Sequence, residues 1–189
     1  MDAGESDRAL IARAMEGNDD AFAVLMTRHK NWAYRFVCRY VGHAGDDAYD
    51  VLQETFFAAW LALSRFDPEL PFEAWLRRIA LNKCRDRARR NLVRRFLAGR
   101  PVDSDEPSDA PDQAPGPERQ VSDGQQLRAL EDAIGMLPRS LKEPLLLTTL
   151  EGLSHQEAGE LLGLNAKAIE MRVYRARERL RGLTHFDPD

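Results

Sequence analysis

Residues 101–123, PVDSDEPSDAPDQAPGPERQVSD, limit the fold of this 189-residue chain more than any other segment. They hold five of its ten prolines, seven acids and one base, and almost no large apolar side chain. Such a stretch cannot bury enough surface to offset its ordering entropy, so it is predicted to be a disordered linker. It leaves residues 1–100 and 124–189 as two small domains with separate cores. At ~3.3 Å per residue the linker reaches at most about 76 Å.

Both halves read as helical, because sustained period-2 alternation is missing and apolar residues recur at helical spacing. A short helix follows Ser6, with Leu10, Ile11, Ala14 and Met15 on one face. A longer one, capped by Asp19 or Asp20, carries Phe22, Leu25, Met26, Trp32, Phe36 and Val37. A third runs over about 46–65. Asp67-Pro68-Glu69-Leu70-Pro71 ends it, since each proline disfavours helix at the residue before it. The fourth spans about 72–97. In the C-terminal half, helices are predicted through Leu127–Leu137 and Leu141–Leu150. The fold class is therefore all-α: two small helical domains joined by an acidic, proline-rich linker.

Charge is distributed unevenly about a net −4. Residues 77–100 carry ten bases against the single acid Asp86, and residues 166–182 carry six bases against two acids. Two basic segments in an otherwise acidic chain point to two contacts with a polyanion. Other classes find little support. No run of about 18 apolar residues suggests a membrane span, and the acidic opening MDAGESDRAL lacks the apolar core of a secretory signal. Two cysteines, Cys38 and Cys84, make no disulfide framework. A cytoplasmic protein is expected, with no membrane insertion. The four histidines are scattered, and neither a metal-ligand spacing nor a catalytic motif occurs. No enzyme activity, metal or other cofactor is expected.

Ser154-His155-Gln156-Glu157 has the pattern of a capping box. Gly163-Leu164-Asn165 supplies a turn and the next cap. The following helix turns Ile169, Val173, Ala176 and Leu180 inward and its arginines outward. Capped short helix, glycine turn and basic helix together make a helix-turn-helix, whose second helix can enter the major groove. In the first half, Phe72 and Trp75 stand beside the arginine-rich part of the fourth helix. They can stack on exposed bases if they reach the surface, although the spacing of Trp75 also suits a core.

The run Asp50-Val51-Leu52-Gln53-Glu54-Thr55-Phe56, followed by Phe72-Glu73-Ala74-Trp75-Leu76-Arg77-Arg78-Ile79-Ala80-Leu81-Asn82, resembles region 2 of extracytoplasmic-function (ECF) sigma factors of the sigma-70 family. Gly152-Leu153-Ser154 through Arg175-Ala176-Arg177-Glu178-Arg179-Leu180 resembles their region 4. Tyr49 stands where the family usually has an acid. Lys167-Ala168-Ile169-Glu170-Met171-Arg172 replaces a Gly-Thr-Val-Lys-Ser-Arg-like run. The resemblance implies a promoter-specific initiation subunit of bacterial RNA polymerase. Region 2 would hold the β′ clamp helices of the core enzyme and open the −10 element. Region 4 would hold the β flap and read the −35 element. An anti-sigma factor that covers the polymerase-binding faces is implied as well.

On this reading Asp50, Gln53, Glu54 and Phe57, at i, i+3, i+4 and i+7, form one stripe facing core polymerase, unless Phe57 is core and the acids are merely solvated. The Asp67–Pro71 loop, Phe72, Trp75 and Asn82 would serve −10 recognition and melting. Asn82 would capture a flipped base or else bridge backbone. Lys83, Arg85, Arg87 and Arg89 would contact phosphates. Lys167, Glu170 and Met171 would reach −35 base edges, with Arg172 and Arg175 on phosphates. Glu170 either accepts from a cytosine or pairs with a neighbouring arginine. A stand-alone helix-turn-helix regulator with a helical effector domain is the competing reading. It has no need of the Asp50, Gln53, Glu54 face.

Overall fold

The computed structural model describes residues 5–42, 45–97 and 123–184, the side chains of 95, 96, 123–128, 183 and 184 excepted. The predicted linker lies outside the described residues except for Asp123, which opens a helix. The chain divides into two compact units, residues 1–38 with 44–99 and residues 39–43 with 100–189. All regular structure among the described residues is helical.

The first unit contains α1 (Asp7–Met15), most of α2 (Asp19–Val41), α3 (Asp46–Ala62) with a 3₁₀ turn over Leu63–Arg65, and α4 (Phe72–Leu97). Ser6 caps α1, its hydroxyl accepting from the Ala9 amide at 3.3 Å. Asn18, not Asp19 or Asp20, caps α2: its side-chain oxygen accepts from the Ala21 amide at 2.9 Å. Met15 leaves the buried face of α1 and is exposed, because the helix ends there and the backbone turns at Gly17 with φ +92°. The core joins Leu10, Ile11 and Ala14 of α1 to Phe22 and Leu25 of α2, Phe56 and Ala59 of α3, and Phe72 and Leu76 of α4. Each large side chain so buried contributes roughly 1.5–3 kcal/mol.

The second unit contains α5 (Asp123–Met136), α6 (Arg139–Leu145), α7 (His155–Leu162) and α8 (Ala166–Thr184). The helix expected through Leu150 instead widens to a π turn over Leu146–Leu150. Pro144 lies just before this turn. It has no amide hydrogen to give the preceding turn, and its carbonyl accepts from the Thr148 hydroxyl at 2.8 Å, which competes with the backbone ladder. Leu145, Leu146 and Leu147 remain buried, while Leu150 is exposed. Ile169, Val173 and Ala176 of α8 close the core against α5, α6 and α7. Ala158 and Gly159 are the buried residues of α7; Leu161 and Leu162 are only half-buried.

Candidate functional site

On α3, Asp50, Gln53 and Phe57 face solvent, and Phe57 is 65% exposed, so it is not a core residue. One turn on, Leu61 is exposed to the same extent and prolongs the apolar part of the stripe. The carboxylates are less free than the pattern suggests. Arg90 of α4 donates to both oxygens of Glu54, at 2.9 and 2.8 Å. Arg87 pairs with Asp47 and lies 3.7 Å from Asp50. The Arg90 hydrogen bond holds the Glu54 carboxyl below the usual glutamate range; burial opposes this, and the charges of Arg90, Lys83 and Arg87 reinforce it. The freely offered groups are therefore Gln53, Phe57 and Leu61, with Asp50 beside them.

The Asp67–Pro71 loop is exposed throughout. Asp67 shapes it: its carboxylate accepts from the Glu69 amide and its carbonyl from the Leu70 amide, both at 3.0 Å. Leu70 is left pointing into solvent, an exposed apolar group at a loop tip. Phe72 corrects the expectation for base stacking. It is 4% exposed and packs its ring against Phe66 and Trp75, because a residue opening α4 beside the core must fill it. Trp75 is half-buried in the same cluster.

Further along α4, Asn82 is exposed and its amide oxygen accepts from Arg85 at 3.4 Å, at the margin of a hydrogen bond. Lys83 and Arg85 are half-buried, and Arg89 is exposed beside Asp86 at 3.5 Å. Arg87 is the second correction. At 9% exposure it faces α3 and pairs with Asp47, so it knits the two helices together instead of facing phosphate. Arg78, exposed one turn before Asn82, joins Asn82, Arg85 and Arg89 along one side of the helix.

In the second unit the local signals act as their chemistry requires. The Ser154 hydroxyl accepts from the Glu157 amide at 3.2 Å, and the Glu157 carboxylate accepts from the Ser154 amide at 2.8 Å. The backbone turns at Gly163 with φ +70°, and Asn165 caps α8 by accepting from the Ala168 amide at 2.8 Å. Gly159 is the residue that sequence reading overlooked: a Cβ there would lie 2.4 Å from the Leu164 carbonyl oxygen. Its missing side chain lets α7 approach the turn, and the only signal was an unexplained glycine inside a helix.

Lys167, Glu170, Met171 and Arg175 are exposed on α8, while Arg172 is half-buried. Glu170 turns to Lys167, at 2.9 Å, and not to an arginine. That hydrogen bond and the lysine charge hold its carboxyl below the usual range, with a smaller contribution from His155. Tyr174 was also overlooked. At 59% exposure it stands four residues after Glu170 on the outward stripe. His155, Glu170, Tyr174 and Arg177 border a cleft of about 540 Å³ between the start of α7 and the outer face of α8.

Residues 25–95 match the family model of sigma-70 region 2, and residues 127–180 match that of sigma-70 region 4. The chain is 41% identical over 191 residues to the RNA polymerase sigma factor CnrH of Cupriavidus metallidurans, and the match covers 100% of both chains. It is 32% identical over 177 residues to the ECF RNA polymerase sigma-E factor of Haemophilus influenzae, with 92% of each covered. The chain belongs to the ECF sigma factors. A solved structure of CnrH in complex with the cytosolic domain of CnrY superposes on this sigma factor with a TM-score of 0.65 at 35% identity, covering 97% of it and 100% of that chain.

The region 2 match in this sigma factor begins inside α2 and ends within α4, so α1 precedes it; the region 4 match takes in α7, the turn and α8 as far as residue 180. A family of transcription initiation factors replaces the stand-alone regulator, whose sequence needs no region 2. Among the described residues, no group of three His, Cys, Asp or Glu side chains could hold a metal, and no helix is long and apolar enough to cross a membrane. Cys38 and Cys84 are both buried.

Proposed function

We propose that this sigma factor works in the cytoplasm as a binding subunit and not as a catalyst. It joins core RNA polymerase through Gln53, Phe57, Leu61 and Asp50 of α3, where an apolar pair beside an amide and a carboxylate suits a basic helical partner. The observation that carries this reading is the Phe57–Leu61 pair, turned outward one turn apart on a helix that buries Val51 and Phe56 in the core. The Asp67–Pro71 loop and the Arg78, Asn82, Arg85, Arg89 side of α4 then hold the opened −10 strand. The first turns of α8 read the −35 duplex, with Arg172 and Arg175 near its phosphates. Residues 101–123 tether the two, and their reach of about 76 Å slightly exceeds two helical turns of DNA at ~34–36 Å each. CnrH has been solved in complex with the cytosolic domain of CnrY, which supports a protein partner here too, and the family resemblance makes an anti-sigma factor the kind of partner to seek. A reconstitution of the full chain with core RNA polymerase tests the central claim. Gln53→Ala with Phe57→Ala should abolish both holoenzyme formation and promoter-dependent transcription; wild-type affinity for core enzyme would remove the assignment.

A further inference from the structure

Helix α1 lies before the region 2 match, yet it is fastened to the base of the Asp67–Pro71 loop. The Asp7 carboxylate accepts from Arg28 at 2.8 Å and lies 2.7 Å from His29 Nε2. Burial pushes this carboxyl up, but the hydrogen bonds and charges of Arg28 and His29 outweigh it and hold the group below the usual aspartate range. Asp7 is therefore ionised at neutral pH and fixes the His29 ring. That ring is largely buried, with its centroid 5.1 Å from that of Phe72.

Phe72 and Phe66 are the two ends of the loop, one directly after Pro71 and the other directly before Asp67. Their rings lie 6.0 Å apart, and Trp75 touches both, at 4.9 Å from Phe66 and 5.6 Å from Phe72. Both ends of the loop thus rest in one aromatic cluster, and His29 forms one wall of it. A helix needed only to cover the core would require no more than Leu10, Ile11 and Ala14. A half-buried carboxylate adds a directional constraint at the expense of its own hydration. Arg8 also meets Glu69 inside the loop at 2.9 Å, but both side chains are exposed, so that pair contributes little.

We infer that Asp7 and His29 are positioning residues for −10 readout: Asp7 orients His29, His29 packs Phe72, and Phe72 sets the geometry of the Asp67–Pro71 loop. The inference rests on the reading that this loop meets −10 DNA. The experiment uses the full chain with core RNA polymerase and a promoter library randomised in the −10 element. Asp7→Asn and His29→Leu should flatten base preference several-fold and slow strand opening, with −35 duplex binding unchanged, and Asp7→Glu should recover part of the preference. Ile11→Val, which loosens the same core but removes neither a ring nor a hydrogen bond of the chain from Asp7 to Phe72, should lower thermal stability and leave base preference alone. Wild-type preference in Asp7→Asn and His29→Leu, or an equal change in Ile11→Val, overturns the inference. Leu70→Ala separates the two layers. If it alters −10 preference while Asp7→Asn does not, only the inference falls; if Leu70→Ala and Asp67→Ala are both silent, the loop reading falls with it.

Discussion

A single guanidinium nitrogen of Arg90 reaches both carboxylate oxygens of Glu54, at 2.8 and 2.9 Å, across the seam between α3 and α4. Glu54 was read from sequence as a group held out to a partner, and in the folded chain it is already engaged. On the proposed polymerase face, its contact with Arg90 joins α4 to α3 beside Gln53 and Phe57.

The pair has a definite acid signature. The carboxyl of Glu54 is depressed in the folded state, so its contribution is present above the unfolded glutamate value of ~4.3 and is lost as pH falls through the folded value. Arg90→Gln should destabilise the protein at neutral pH by no more than about 1 kcal/mol, since both side chains are partly exposed. The gap to wild type should close as the solution is acidified below pH ~4. Denaturant titrations across pH check this; a gap that widens on acidification would contradict it.

Phe57 and Leu61 should separate binding from folding. Both lie on the surface, so Phe57→Ala should leave the unfolding free energy within about 0.5 kcal/mol of wild type. The same change should weaken core-polymerase affinity by about 2 kcal/mol or more if the residue anchors the interface. Fluorescence titration beside thermal unfolding gives both numbers, and a loss of stability equal to the loss of affinity would mean that Phe57 supports the fold.

Gly159→Ala should damage the second unit selectively. The added methyl would meet the Leu164 carbonyl oxygen, a backbone atom that cannot swing aside. The expected destabilisation is about 1–3 kcal/mol, with −35 duplex binding reduced and core-polymerase binding through α3 retained. Hydrogen exchange on α7 and α8 would localise the change.

Local signals were legible and azimuthal ones were not. Ser154 with Glu157, and Asn165 at its cap, act within a few residues of themselves, so their positions in the chain sufficed. Helix α4 matched its expected span because prolines precede it and arginines continue it. The faces within a helix depended on which neighbour it met. Arg87 and Arg89 look alike in sequence, yet one points at Asp47 and the other at water. Phe72 was ambiguous for the same reason. At the start of α2, Asn18, Asp19 and Asp20 are all able caps, and only the geometry chose Asn18.

The contact between Lys167 and Glu170 makes the −35 readout testable in two steps. In the free chain Glu170 neutralises the lysine, 2.9 Å away on the outward face of α8. A guanine offers Lys167 two adjacent acceptors and a cytosine offers Glu170 a donor, so a G·C pair can take both partners apart; on an A·T pair the donor of adenine N6 separates the two acceptors, adenine N7 and thymine O4, so the lysine meets them one at a time. Glu170→Ala should therefore change preference at one base pair, by about 1–3 kcal/mol, while the rest of the site keeps its ranking. If Arg175 meets phosphate as proposed, Arg175→Ala should weaken every duplex alike and reduce the salt dependence by about one charge. Tyr174→Phe, which removes only the exposed hydroxyl, tells whether the stripe extends a third turn. Selections from a −35 library with each variant decide among these. Identical preferred sequences for wild type and Glu170→Ala would leave the Lys167 pair as a surface ion pair with no part in recognition.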